Sequence, residues 1–174
     1  PVAAQLERFR AVAAAVPASR YSFANSAGIC LGRDYSFDLV RPGLSLYGGI
    51  PRSEAEGHIR QVARLEAQIV QRRMIPETES CGYGATFIAK HDTEAAILNI
   101  GYADGYLRGF SSHGSAFAGE YSLPVLGRVS MDLVAVGVDA VPGLKEGDWV
   151  EIDYDLMSAS KQSGLSQYEL LTGL

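Results

Sequence analysis

A tyrosine stands between two glycines near the middle of the chain, and here the sequence could carry chemistry. Gly82 and Gly84 let the backbone approach another surface closely and leave the phenol of Tyr83 clear of it. A free phenol has a pKa of about 10, so a phenol that acts as a base at neutral pH needs about 4 kcal/mol of preferential stabilisation of the phenolate. A neighbouring arginine could supply it. The alternative is a β-bulge with an aromatic side chain packed on it.

Two further segments could hold a phosphate group. Asn25 and Ser26 lie in residues 24–28, and Gly43 lies in residues 41–48. Both segments follow predicted strands and offer small side chains and backbone amides that could surround an anion. Ordinary turns are the alternative, because Asn-Ser and Pro-Gly pairs are common in turns.

A fourth group combines two segments that are rich in Gly, Tyr, Arg and Asp, residues 101–108 and 127–132. Taken singly, each segment fits a plain hairpin or strand. Their order along the chain is more informative than their individual content.

In order, these segments resemble alanine racemases. The resemblance covers about residues 20–170 and includes the Arg-Pro-Gly-Leu, Gly-Tyr-Gly-Ala-Thr, Gly-Tyr-Ala-Asp-Gly and Gly-Arg-Val-Ser-Met-Asp motifs. It implies a bacterial, cytoplasmic isomerase that uses pyridoxal 5'-phosphate to interconvert L- and D-alanine and supplies D-alanine for peptidoglycan. It also implies a homodimer with an amino-terminal α/β barrel and a carboxyl-terminal, mainly β domain. Residues 1–50 would then be the end of the barrel, and residues 51–174 the β domain.

The resemblance also implies roles for individual residues. Tyr83 matches the base that takes the α-proton from the L-alanine aldimine, and Arg41 matches the arginine that binds the pyridine nitrogen. Met131 matches a residue whose amide holds the substrate carboxylate. The residues that match Tyr83 and Met131 serve the partner subunit's active site. The phosphate-binding set would be Asn25, Ser26, Gly43, Leu44 and Tyr168, and the entry corridor Tyr102, Arg108, Arg128 and Asp132.

The sequence departs from the family pattern at the cofactor lysine. The three lysines, Lys90, Lys145 and Lys161, match no cofactor motif, so we expect this chain alone to be inactive and to be a piece of a longer enzyme. Ser22 stands where many members have a histidine that contacts the pyridine-binding arginine. The histidine that would bridge to the tyrosine and the arginine that would bind the substrate carboxylate are also missing. A serine or broad-specificity racemase, or a non-catalytic dimerisation domain, remains an alternative.

Composition excludes several classes of protein. The 174 residues are 47% hydrophobic and 20% charged, with a net charge of −5, which excludes a disordered chain and gives no basic field for nucleic acid or an anionic membrane. Cys30 and Cys81 are far apart, and the three histidines lack ligand spacing, so no metal site is expected.

The elements that would position these residues follow from periodicity. Residues 2–16 have helical spacing and end before Pro17, whereas the alternation of residues 63–69 predicts a half-buried strand. Further strands are predicted at residues 21–23, 37–40, 95–100, 125–138 and 149–154, the later ones forming an antiparallel barrel or sandwich. Ser166 and Glu169 fit a capping box at the start of a short helix.

Overall fold

An amphipathic helix opens the chain, as the spacing of its apolar residues predicts. In the computed structural model, which describes residues 2–174, helix α1 spans Val2–Ala15 and buries Leu6. Phe9, on the same helix, packs with its ring centroid 5.0 Å from that of Phe23 and 4.9 Å from that of Phe37.

The first of two units runs to Ala63 and has α/β character. Two short strands pair in parallel, with a one-turn helix directly after the first strand. Parallel neighbours are typical of α/β folds. These elements are β1 (Ser22–Asn25), α2 (Ser26–Ile29) and β2 (Leu39–Arg41). The predicted domain boundary at residue 50 stays a prediction.

The second unit begins at Arg64 and is built on a six-stranded antiparallel sheet with the order β8-β7-β10-β3-β6-β9. A two-stranded pair, β4-β5, carries the segment with Tyr83. The mainly β, antiparallel prediction is thereby confirmed. The strands are β3 (Leu65–Ile75), β4 (Ser80–Cys81), β5 (Phe87–Ile88), β6 (Thr93–Leu98), β7 (Ser115–Ala118), β8 (Tyr121–Pro124), β9 (Val134–Gly137) and β10 (Trp149–Ile152).

In the middle of strand β3, the alternation of residues between the two faces of the sheet shifts by one residue. The pairing of β3 with β6 shifts between Ile69 and Gln71, a β-bulge at Val70. Before the bulge, Ile69 is buried in the larger core, whereas Ile75, also an odd-numbered residue, is buried in a second core with Ala95. Because a bulge shifts the alternation by one, a single strand contributes to both faces of the sheet.

The sheet curls until its outer strands meet, but within residues 2–174 its ladder does not close into a barrel. An isolated bridge joins Val125 to Val136, and the amide of Leu126 donates to the carbonyl of Ala135 at 2.8 Å. The continuous strand predicted over residues 125–138 is therefore wrong. Strand pairing is interrupted over residues 127–133, where Gly127 adopts a left-handed φ of 75°.

Two helices complete the second unit. Helix α3 (Leu156–Ser163) was not predicted, whereas α4 (Gln167–Thr172) begins with the predicted capping box. The Ser166 side chain accepts from the Glu169 amide at 3.3 Å, and the Glu169 carboxylate accepts from the Ser166 amide at 2.8 Å. No helix in the described part of the chain is long and apolar enough to cross a membrane.

Candidate active site

Ser26 brings together the two segments that the sequence indicates as phosphate loops. Its side chain is buried, and its Oγ accepts hydrogen bonds from the amides of Gly43 at 2.9 Å and Ser45 at 3.3 Å. Asn25 ends β1 and caps α2, because its Oδ1 accepts from the Gly28 amide at 3.0 Å. Residues separated by 17 positions in the sequence thus form one cradle.

This cradle has free hydrogen-bonding capacity. The Ser45 hydroxyl oxygen is buried and has no partner among residues 2–174. The Leu44 amide also donates to no acceptor among these residues, and no atom lies within 4 Å of a methyl built on Gly43. A buried hydroxyl without a partner is costly, so this site favours an added acceptor. The donor set fits the phosphate group of pyridoxal phosphate.

Arg41 is held at the end of β2 by contacts to β1. Its guanidinium donates to the Ser22 hydroxyl at 2.5 Å and to the Phe23 carbonyl at 3.3 Å. Ser22 therefore does contact this arginine, although it is smaller than the histidine that the resemblance would place here. Arg41 and Asn25 line one cavity of about 310 Å³.

Arg52 lines the same cavity and lies outside the motifs that indicated the candidate site residues. Its guanidinium forms two hydrogen bonds with the Glu54 carboxylate, at 3.0 and 2.8 Å. These bonds lower the pKa of the Glu54 carboxyl to about 2. Arg52 is therefore already paired, whereas Arg41 has no carboxylate partner among the described residues.

The glycine-flanked tyrosine is exposed in the second unit. Tyr83 has 73% of its surface exposed and lies in the turn between β4 and β5. Gly82 and Gly84 have φ values of 79° and 75°, a left-handed backbone that other L-residues rarely adopt. The phenol thus stands clear of the turn, as the sequence predicts.

A cavity of about 400 Å³ lies beside this tyrosine. Tyr83 and Arg128 line it, together with Gln71, Ser130 and Leu133. Gln71 and Leu133 lie outside the segments that the motifs indicate, whereas Ser130 lies within one of them but had no expected role. Simple alternation continued beyond Ile69 would place Gln71 on the core face, and the bulge in β3 turns it to the cavity instead.

Met131 lies at the surface where the two remaining segments meet. Its carbonyl accepts from the Ala103 amide at 2.9 Å, and a methyl built on Gly101 would lie 2.3 Å from that carbonyl oxygen. The Met131 amide donates to no acceptor within residues 2–174. A free amide at this exposed residue fits the carboxylate-binding role that the resemblance implies.

The other expected corridor residues and Tyr168 lie on the surface of the second unit. The Arg108 guanidinium lies 4.7 Å from the centre of the Tyr102 ring, within cation–π distance. Asp132 is exposed next to Met131. Tyr168 is 48% exposed on α4, directly after the capping serine.

The lysines are all in the second unit and exposed. Lys90 follows β5, Lys145 precedes β10, and Lys161 is in α3. The first unit, with Arg41 and the cradle around Ser26, contains no lysine.

Comparison with known proteins identifies the family. Residues 62–174 match the family model "Alanine racemase, C-terminal domain", and residues 1–51 match "Alanine racemase, N-terminal domain". The chain belongs to the alanine racemase family. Members of this family are pyridoxal-phosphate-dependent isomerases.

Curated relatives within the alanine racemase family are about 40% identical. The biosynthetic alanine racemase of Agrobacterium fabrum is 40% identical over 98% of this chain and 48% of its own length. The alanine racemase of Acidiphilium cryptum is 40% identical over 99% of this chain and 49% of its own length. The chain spans about half the length of the curated relatives it matches.

Solved structures of alanine racemases share the fold. The enzyme from Bartonella henselae, with covalently bound pyridoxal phosphate, has a TM-score of 0.84 and is 38% identical over 98% of this chain and 48% of its own. Biosynthetic alanine racemase from Pseudomonas aeruginosa has a TM-score of 0.78 and is 33% identical over 97% of this chain and 49% of its own.

Proposed function

We propose that this chain supplies part of the active site of an enzyme that interconverts L- and D-alanine. The observation that carries the proposal is the exposed, glycine-flanked phenol of Tyr83 beside Arg128, in a chain of the alanine racemase family. In the whole protein, residues 1–50 would be the end of the α/β barrel, and residues 51–174 the β domain. The cofactor lysine would come from the length of the family's proteins that this chain does not span.

Pyridoxal phosphate, when bound, stabilises the negative charge that develops at the α-carbon of the substrate. The proposed phosphate-binding residues supply hydrogen-bond donors. Ser26 holds the cradle together, and the free Leu44 amide and the buried Ser45 hydroxyl are available to phosphate oxygens. The proposed set also contains Asn25, Gly43 and Tyr168.

Arg41 is proposed to donate to the pyridine nitrogen of the cofactor. A guanidinium has no acceptor and does not give up its proton, so the nitrogen that it contacts remains unprotonated. This arrangement limits the electron-withdrawing strength of the ring and disfavours side reactions. The hydrogen bond from Arg41 to Ser22 orients the guanidinium for this contact.

Tyr83 is proposed to take the α-proton of L-alanine while the Met131 amide binds the substrate carboxylate. Both residues would serve the active site of the partner subunit, so the proposed enzyme is a homodimer. The corridor residues would be Tyr102, Arg108, Arg128 and Asp132. We also propose a cytoplasmic location and a role in supplying D-alanine for peptidoglycan.

The function is tested by removing the Tyr83 hydroxyl in the full-length enzyme. Tyr83→Phe should reduce the rate of solvent exchange of the α-proton of L-alanine by on the order of a hundredfold or more, because proton transfer by a positioned side chain contributes about 10²–10⁴-fold to a rate. The exchange rate of D-alanine should fall much less, because Tyr83 is proposed to act on L-alanine only. Deuterium incorporation, followed by NMR from each enantiomer, measures both rates.

Tyr121→Phe is the matched control, since Tyr121 is also an exposed tyrosine, at 57%, but lies on edge strand β8. It should leave both exchange rates unchanged. Equal losses from the two enantiomers in Tyr83→Phe would contradict the assignment of Tyr83 to L-alanine. L-Serine, assayed in parallel, tests whether the substrate range is broader.

A further inference from the structure

The turn that carries Tyr83 has little to hold its own conformation. Residues 82–86 are all exposed, and the backbone hydrogen bond across the turn, from the Ala85 amide to the Gly82 carbonyl, is long at 3.3 Å. Ala85 has a φ of 49°, and the two glycines that precede it in the turn are also left-handed. A non-glycine residue there costs about 1–2 kcal/mol. Contacts from outside must therefore maintain the turn.

Gly127 and Arg128 provide such contacts. A methyl built on Gly127 would lie 2.9 Å from the Cys81 carbonyl oxygen, so only glycine allows this approach. A methyl on Gly82 would lie 3.5 Å from the Arg128 amide nitrogen. A methyl on Gly84 would lie 3.7 Å from both Cζ and Nη1 of Arg128 and 3.9 Å from its Nε, so the guanidinium presents its face to the turn.

The segment that makes these contacts is itself well anchored. The residues on either side of it, Leu126 and Val129, are buried. The Gly127 carbonyl accepts from the Ser112 amide at 2.9 Å, and the Val129 amide donates to the Ser111 hydroxyl at 3.2 Å. An anchored segment against a weakly held turn can fix the position of that turn.

We propose that Gly127 and Arg128 are positioning residues for Tyr83. Because Gly127 has no side chain, the Cys81 carbonyl can approach it closely, and this contact positions the start of the turn. The Arg128 guanidinium lies against the turn near Gly84. The importance of this position for catalysis rests on the proposed function of Tyr83. A displacement of the reacting group by about 1 Å costs on the order of a hundredfold in rate.

The first test compares two glycine substitutions with the same backbone strain. Gly127 and Gly164 both have a φ of 75°, but a methyl at Gly164 meets no atom within 4 Å. Hydrogen exchange of the peptide covering residues 80–88 is measured by mass spectrometry in the full-length holoenzyme. Gly127→Ala should accelerate it by about tenfold, because the turn loses its fixed neighbour, and Gly164→Ala should not.

The second test needs no added strain. Arg128→Ala removes the guanidinium, whereas Arg128→Lys keeps the charge but lacks the planar face. Both should accelerate exchange in residues 80–88 and lower kcat for L-alanine more than they change KM. A lysine variant with wild-type exchange and kcat would overturn the proposal, and so would equal exchange in Gly127→Ala and Gly164→Ala. The exchange measurement does not depend on turnover, so loss of the proposed function alone leaves it interpretable.

Discussion

The hydroxyl of Ser26 accepts a hydrogen bond from the amide of Gly43 at 2.9 Å and thereby joins the end of β1 to the loop after β2. The same oxygen accepts from the Ser45 amide at 3.3 Å. A single buried side chain thus sets the shape of the proposed phosphate cradle.

Ser26→Ala should destabilise this region and weaken cofactor binding. The substitution leaves the Gly43 amide and the Ser45 amide without their acceptor, which costs about 1–3 kcal/mol for each buried group that water cannot reach. Ser45→Ala is the matched comparison, because the Ser45 hydroxyl has no partner to lose. It should leave the free energy of unfolding of the cofactor-free protein unchanged or slightly higher, because it removes a buried hydroxyl without a partner.

Urea denaturation and a pyridoxal phosphate titration measure the two effects in the full-length protein. A Ser26→Ala protein as stable as Ser45→Ala would show that the two hydrogen bonds contribute nothing. Weaker cofactor binding in Ser45→Ala would indicate that its free hydroxyl contacts the phosphate.

Two buried tyrosines of the larger core should respond in opposite directions to loss of the hydroxyl. The Tyr106 hydroxyl is buried without a partner among the described residues, and a methyl on Gly114 would lie 2.0 Å from it. The Tyr154 hydroxyl shares its one proton between the carbonyl oxygens of Leu170, at 3.2 Å, and Gly105, at 3.3 Å. Tyr106→Phe should therefore stabilise the fold by about 1 kcal/mol, and Tyr154→Phe should destabilise it by about 1–2 kcal/mol.

Thermal and urea unfolding of the two variants, each compared with the wild type, measure this difference. The aromatic stack, with Tyr106 and Phe110 centroids 4.5 Å apart, is retained in both variants. A loss of stability in Tyr106→Phe equal to that in Tyr154→Phe would mean that the Tyr106 hydroxyl has a partner in solution, such as an ordered water.

The same two tyrosines predict a loss of stability at alkaline pH. Burial raises the pKa of Tyr154 from 10.0 to about 12, and burial, followed by the charge of Asp153, raises the pKa of Tyr106 further. The folded state holds these phenol protons more tightly than the unfolded state does. The contribution of the two protonated tyrosines to the free energy of unfolding is therefore complete below pH 10 and is lost as pH rises through about 12.

Urea midpoints measured from about pH 8 to about pH 11 should therefore fall, most steeply above the ordinary tyrosine pKa. The slope should be smaller in Tyr154→Phe and in Tyr106→Phe, because each variant removes one of the two titrating groups. Identical slopes in the wild type and both variants would assign the loss to other groups.

The sequence allowed prediction of features that depend on local patterns. Helix α1 and the capping box of α4 follow from side chains three or four residues apart, and the exposure of Tyr83 follows from its two flanking glycines. The family motifs then indicated the candidate site residues. None of these inferences required knowledge of strand pairing.

Features that depend on pairing between distant segments could not be predicted. The bulge at Val70 has no local signature, yet it decides that Gln71 reaches the cavity. The β7-β8 hairpin was not predicted, because its strands are rich in small and polar residues. The bond between Ser26 and Gly43 likewise depends on the pairing of β1 with β2.

The phase change in β3 has a mechanical consequence for the second unit. Because one continuous strand supplies Ile69 to one core and Ile75 to the other, neither core can loosen without disturbing the pairing of β3 with β6. The smaller core lies beneath the cavity with Tyr83. The larger core therefore stabilises it through β3. The cavity beside Tyr83 lies on a small core, and we expect this core to unfold together with the larger one.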